Sequence, residues 1–183
     1  MQRLVRAVLT ILPALAVAGP LLAQAPAMPD TAASRQHMDK LSFLVGRWSG
    51  PAWATVRGGQ RMDMRQTEHV RYKVGGQILL IEGLGRRLEG GVPADTAFNA
   101  VAVVDWQEGK GYMMRSWTHL GTRGEFPLTL TGNGFTWGHD VPGGSVRYTM
   151  ELTPEGVWHE VGRFSRDGQE WMPVVELTVK RED

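Results

Sequence analysis

Short glycine-containing turns recur at close intervals along most of this 183-residue chain. Gly75-Gly76, Pro142-Gly143-Gly144 and Arg166-Asp167-Gly168 are three of them, and glycine supplies the positive φ angles that tight hairpins need. The residues between the turns form short extended runs, typical of strands that pair in sequence order. The spacing predicts an all-β fold, an antiparallel up-and-down barrel, because closing the sheet removes its exposed edges.

About ten extended segments can be read along the chain, at residues 47–56, 64–73, 77–86, 98–106, 111–119, 126–131, 135–140, 145–153, 157–165 and 170–180. Helical periodicity is confined to His37–Val45, which predicts a short helix before the first strand. The longest irregular connection is Arg87–Thr96, with Gly90-Gly91 and Pro93. It is interpreted either as a flap at the barrel mouth or as a solvated loop.

The N-terminal segment predicts export of the protein. Arg3 and Arg6 precede an apolar stretch that is broken by Pro13, and Ala23-Gln24-Ala25 is a small-residue cleavage site. This pattern is typical of a secretory signal peptide over residues 1–25. Residues 26–36 are rich in Ala and Pro and are interpreted as a disordered spacer, which leaves residues 37–183 for one barrel domain.

Composition narrows the function further. The chain has no cysteine, which excludes a thiol nucleophile, a Cys-ligated metal and a lipidated signal sequence. Its net charge is +1 with both signs mixed, so no basic stripe points to nucleic acid. We expect a periplasmic or secreted protein with no stable membrane span after processing.

The predicted central strands carry apolar residues on both faces. In one of them, Phe98, Ala100 and Ala102 alternate with Val101 and Val103. A second apolar face needs a cover. The N-terminal helix, a folded-over loop or the partner subunit of a homodimer could provide it.

Two groups of residues are candidates for ligand binding inside the barrel. Arg115, Trp117 and His119 share one face of a strand, and if that face is inward they form a cationic and aromatic wall for an anionic group. Trp158 and Glu160 form a similar pair, and Glu160 could bridge to Arg115. If Tyr112, Met114 and Ser116 point inward instead, the Arg115 group does not form.

The sequence predicts neither a metal nor a cofactor. The five histidines lack the close spacing of a zinc motif, although His139 and His159 could converge with Glu68 or Glu160. No Gly-x-Ser-x-Gly motif or phosphate loop before a helix occurs. No catalytic residue is therefore assigned.

The segment Leu41–Gly50, with Gly46-Arg47-Trp48 at its centre, resembles the opening motif of lipocalin-like (calycin) bacterial proteins of the DUF1579 type and of nitrobindin-like barrels. The later segments Val74–Leu79, Val104–Trp106, Gly156–Glu160 and Glu176–Arg181 follow in the same order. The resemblance implies a calycin barrel without an established activity.

In such barrels the first-strand Trp packs at the closed end beside a basic residue of the last strand. The resemblance therefore pairs Trp48 with Lys180 or Arg181, as a cation–π contact. Nitrobindin-like barrels hold haem through a His near the C-terminal strand. Here no His follows His159, so haem is not expected.

The favoured prediction is a barrel that binds a small apolar or amphipathic ligand. One alternative is an isomerase- or hydrolase-type enzyme that uses Glu160 and His119 as acid and base. The other is a structural protein whose barrel is filled by its own side chains.

Overall fold

The computed structural model describes residues 31–182. One α-helix, α1, spans Thr31–Asp39, and 3-10 turns lie at Ser42–Leu44 and Val74–Gly76. The strands are β1 Gly46–Thr55, β2 Arg61–Lys73, β3 Ile78–Glu89, β4 Val92–Gln107, β5 Gly111–Thr118, β6 Arg123–Leu130, β7 Gly134–Val141, β8 Gly144–Leu152, β9 Val157–Ser165 and β10 Met172–Arg181.

The ten strands form a closed antiparallel barrel in which each strand pairs with its neighbours in sequence, and β1 closes the barrel against β10. This confirms the predicted fold class. The predicted signal peptide, residues 1–25, lies outside the described residues. Helix α1 begins at Thr31, within the segment interpreted as a spacer. Within residues 31–182, no helix has the length and apolar character needed to cross a membrane.

The predicted irregular connection at Arg87–Thr96 is wrong. Strand β3 continues to Glu89 and β4 begins at Val92, so only Gly90 and Gly91 lie between them. Both glycines have positive φ, 57° and 82°. Two consecutive residues of this kind close a tight hairpin, which extends the sheet where the sequence suggested a loop.

One end of the barrel is closed by the segment that precedes β1. Met38, Leu41 and Leu44 are at most 1% exposed and pack on the inward side chains of the strands. Two inward tyrosines fix α1, because the hydroxyls of Tyr72 and Tyr112 donate to the carbonyls of Met38 and His37 at 2.8 and 2.7 Å. The helix therefore acts as a plug.

Trp48 and Arg181 complete the closed end. The Trp48 indole N–H donates to the Leu44 carbonyl at 2.8 Å, and the Arg181 guanidinium lies 4.2 Å from the centre of the Trp48 ring. Arg181 also donates to the carbonyls of Phe43 and Val45. The cation–π contact expected from the resemblance is confirmed, with Arg181 as the cation.

The term "closed half" denotes the plugged end of the interior, lined by the buried inward side chains of Trp48, Val70, Leu79, Val104, Met114, Leu128, Phe135, Met150 and Val179.

Candidate functional site

The first group of predicted ligand-binding residues is on the outside of the barrel. Met114 is inward and 5% exposed, and Arg115 and Trp117 alternate with it on β5. Trp117 is accordingly 44% exposed. Arg115 does not bridge to Glu160 but pairs with Asp105 of β4 at 2.7 Å. The strand therefore has the orientation in which the predicted cationic wall does not form.

His119 is also outside the interior. It is exposed, and its Nδ1 lies 3.1 Å from the backbone N of Asn99, a residue that alternates with the inward Phe98 and Ala100. The pairing of His119 with Glu160 required by the acid–base alternative is not formed, because the barrel wall separates them.

The second predicted group is inside. Trp158 is 2% exposed, and its ring meets the Trp48 ring edge to face at 5.7 Å. Glu160 follows it on the inward face of β9, farther from the plug. Trp158 therefore lies at the boundary between the plugged end and the rest of the interior, and Glu160 lies on the open side of that boundary.

On the open side of Trp158 the inward side chains are less completely buried. Phe98 is 36% exposed although it is inward, whereas Leu79, Met150 and Val179 at the other end are 0% exposed. Side chains at this level are small on one side of the barrel and aromatic on the other. The term "open half" denotes this region, lined by Gln66, Glu68, Ala100, Ala102, Ser116, Phe126, Trp137, His139, Tyr148 and Glu160.

Glu68 is a buried carboxyl group in this region. It is 8% exposed, and its Oε1 accepts a hydrogen bond from the Gln66 amide at 2.7 Å. Its room comes from Gly83, where an added Cβ would lie 2.9 Å from the Glu68 Oε2. Burial raises the pKa of Glu68 to about 8; the Gln66 hydrogen bond opposes this shift, and the charge of Glu160 adds to it.

Glu160 is the second interior carboxyl group. Its two oxygens accept from the indole N–H groups of Trp158, at 3.1 Å, and Trp137, at 3.3 Å. Burial raises the pKa of Glu160, although both indole donors oppose the shift by stabilising the ionised form. The two tryptophans thereby fix the direction of the carboxylate.

An aromatic wall lies next to Glu160. The rings of Trp137 and Tyr148 stack at 3.9 Å, and Phe126 packs against Trp137 at 5.2 Å. Burial raises the pKa of Tyr148 to about 12, with a further contribution from the charge of Glu160. His139 continues the wall at 5.9 Å from Trp137. Its Nδ1 is buried, and among the described residues it is the one such side-chain atom without a hydrogen-bond partner.

The aromatic wall includes β6 and β7, the two neighbouring strands with the fewest paired residues in the barrel. Strands β6 and β7 pair only through Thr129 with Thr136 and Leu130 with Phe135, at the closed end. Beyond that point the strands separate, and the ring contacts of Phe126 with Trp137 and His139 span the gap. A gap bridged by side chains opens at lower cost than a hydrogen-bonded ladder. It offers a route into the open half.

A concavity lies on the outer wall, an open cleft of about 610 Å³ beside β1, β2, β10 and the β3–β4 hairpin. Its polar groups neutralise one another: Glu176 accepts from Trp53 at 3.0 Å and contacts His159 at 2.9 Å. Arg61 pairs with Asp63 at 2.8 Å and covers the Trp53 ring. Because these groups are paired and solvated, the cleft is a weaker candidate than the interior.

Metal binding has no support in residues 31–182, where no group of three or more His, Asp or Glu could hold an ion. The expected convergence of His139 with His159 does not occur, because His139 is inward and His159 pairs with Glu176 on the outside.

The sequence interpretation did not assign Glu68 to the site, although its strand contained the signal. Along β2 one face carries Arg61, Asp63, Arg65, Thr67, His69, Arg71 and Lys73, and the other carries Met62, Met64, Gln66, Glu68, Val70 and Tyr72. The first face is almost entirely charged and must be the solvated one. Glu68 is then inward with Met64 and Val70.

Comparison with known proteins supports the fold. The crystal structure of Rv2717c from M. tuberculosis is similar, with a TM-score of 0.59 at 12% sequence identity over 80% of this chain and 98% of that one. No family model matches the sequence, and no curated protein matches it either. At this identity the likeness concerns the fold alone, which is a lipocalin-like barrel.

Proposed function

We propose that this protein is a periplasmic or secreted binding protein that holds a small apolar or amphipathic ligand in the open half of its barrel. The observation that carries the proposal is the contrast in packing along the interior. The side chains that define the closed half are at most 5% exposed, whereas Phe98 is inward and 36% exposed, and Trp137 and Tyr148 are inward and partly exposed. A barrel filled by its own side chains would bury both ends alike.

The chemistry of the open half fits such a ligand. Ligand sites in barrels are mostly apolar and aromatic with a few convergent polar groups. Phe126, Trp137 and Tyr148 supply the apolar wall, and Glu68 and Glu160 supply the polar groups. Export rests on the predicted signal peptide, and the proposed relation to the DUF1579-type group rests on the Gly46-Arg47-Trp48 motif together with the order of the four later segments.

Native mass spectrometry of the protein purified from its own host tests the proposal. We expect a mass increase from a bound small molecule. The Ala100→Trp variant should lose this increase, since its ring would occupy the open half. The matched control is Val101→Trp, the next residue on the same strand, which faces outward.

An unchanged mass increase in a folded Ala100→Trp variant would place the ligand elsewhere and contradict the proposal. Loss of the increase in both variants would show that the effect is not specific to the interior, and would also contradict it. Circular dichroism establishes that each variant is folded.

A further inference from the structure

We propose that the ligand of the open half carries a cationic group, an amine or a quaternary ammonium, that lies against the Glu160 carboxylate and the aromatic rings around it. This inference rests on the proposed function, because it names the chemical class of the ligand for that same interior.

The sign of the interior charge is the first argument. The ionisable groups that converge there are the carboxyls of Glu68 and Glu160. The basic residues of the neighbouring strands β5, β8 and β9 alternate outward, at Arg115, Arg147 and Arg163. An anionic ligand group would meet these two acidic groups, and the basic residue on the inward face at the barrel mouth, Arg87, is already paired with Asp95 at 3.4 Å. A cationic group would be complementary.

The rings around Glu160 are the second argument. The faces of Trp, Tyr and Phe carry negative electrostatic potential and attract cations, most strongly where water is excluded. Trp137, Tyr148 and Phe126 line the wall beside Glu160. A carboxylate next to several aromatic rings therefore offers an organic cation both an ion pair and cation–π contacts.

The hydrogen bonding of Glu160 leaves capacity for a ligand. An ionised carboxylate has about four acceptor positions. The indole groups of Trp137 and Trp158 occupy one on each oxygen. The remaining lone pairs can face a cation while the indoles hold the carboxylate in place.

His139 supplies an independent observation. Its buried Nδ1 has no partner in the protein, and its ring belongs to the same wall, 5.9 Å from Trp137 and 6.3 Å from Tyr148. A buried polar atom without a partner is costly. In the neutral tautomer with the proton on Nε2, Nδ1 can accept a hydrogen bond from the N–H of a protonated amine; a quaternary ammonium has no N–H and would be held by Glu160 and the rings.

Binding of a cation should release a proton at neutral pH. Burial raises the pKa of Glu68 to about 8, so near pH 7 this carboxyl group retains protons that an exposed one would lose, and burial also raises the pKa of Glu160. A cation favours the ionised form and lowers the pKa again. The proton that leaves the carboxyl group is taken up by the buffer.

Three probes with the same apolar chain test the inference: octyltrimethylammonium, octanol and octanoate. The two ionic probes are titrated below their micelle concentrations and octanol below its solubility limit, and binding is followed by tryptophan fluorescence. We expect octyltrimethylammonium to bind at least about tenfold more tightly than octanol, and octanoate to bind most weakly. Glu160→Gln should remove the preference for the ammonium and leave octanol binding unchanged. The exposed Glu151→Gln on β8 is the matched control and should behave as the native protein.

The outcomes separate this inference from the proposed function. Equal binding of the ammonium and the alcohol, or tightest binding of octanoate, would contradict a cationic ligand. The ligand of the barrel would then be neutral or anionic. A preference that survives in folded Glu160→Gln would also overturn it. If none of the three probes binds, the proposed function fails together with the inference.

Titration calorimetry near pH 7 gives a second readout that does not depend on a variant. The heat of octyltrimethylammonium binding should differ between two buffers of different ionisation enthalpy, in proportion to the protons released. Identical heats in both buffers would show that the cation does not bind beside the buried carboxyl groups.

Discussion

The two halves of the barrel interior are built from the same ten strands, yet their side chains are buried to different extents. In the closed half, Trp48 and Met150 are at most 1% exposed beneath the α1 plug. In the open half, Trp137 and Tyr148 are inward but still accessible. The plug therefore supplies the core that stabilises the fold, and the strands continue beyond that core to enclose the open half.

The largest expected difference between the halves concerns tryptophan. Trp48→Ala should lower the free energy of unfolding by about 3–5 kcal/mol, because it leaves a cavity in a fully packed core and removes the support for Arg181. Trp137→Ala should cost roughly 1–2 kcal/mol, since its accessible ring buries less surface. Urea denaturation of both variants measures the difference. Equal losses would show that the two halves are packed alike.

The next expected effect is a pH dependence that originates in the open half. The Glu68 pKa is about 8 in the folded protein, against an ordinary value of 4.5. Between these values the folded state binds more protons at Glu68 than the unfolded state, so the contribution of Glu68 to stability is greatest below pH 4.5 and is lost as the pH rises to about 8. The contribution of Glu68 that is lost is roughly 5 kcal/mol.

Glu68→Gln removes this titrating group. We expect its stability to vary less with pH than that of the native protein, so that the two curves diverge as the pH rises. Urea denaturation across pH 4–9 compares them. Parallel curves would show that Glu68 is not a buried titrating group.

A smaller effect is expected at the rim of the closed half. Arg181→Ala should destabilise the barrel by about 1–2 kcal/mol, because the guanidinium joins the Trp48 ring to the carbonyls of Phe43 and Val45. Lys180→Ala, next to it on the outward face, should change stability by less than about 0.5 kcal/mol. Thermal unfolding compares the two, and similar losses would mean that Arg181 does not fasten the plug.

The sequence predicted the closed half better than the open half. Glycine turns and two-residue alternation gave all ten strands, because these signals are local. The contact of Trp48 with Arg181 followed from a family resemblance. Strand β3 was predicted too short, because Gly90-Gly91 was interpreted as part of a loop. The export of the chain remains a prediction, and a homodimer remains one of the three possible covers for the apolar strand faces.

The open half was harder to predict because alternation divides a strand into two faces without saying which one is inward. On β5, Trp117 suggested a core face, yet the pairing of Arg115 with Asp105 belongs to the outer wall. Glu68 was not assigned to the site because a carboxyl group on a strand is normally solvated. Its burial depends on Gly83 of the adjacent strand, a contact that one sequence does not reveal.

The most direct test of an accessible, ligand-binding open half is the response of the indole N–H signals in a two-dimensional NMR spectrum. The chain has seven tryptophans, and their signals can be followed while octyltrimethylammonium is added. We predict that Trp137 and Trp158, which hold Glu160, shift most, and that the signal of Trp48 in the closed half shifts least. A response confined to Trp53 in the outer cleft, or no response at any indole, would contradict the account.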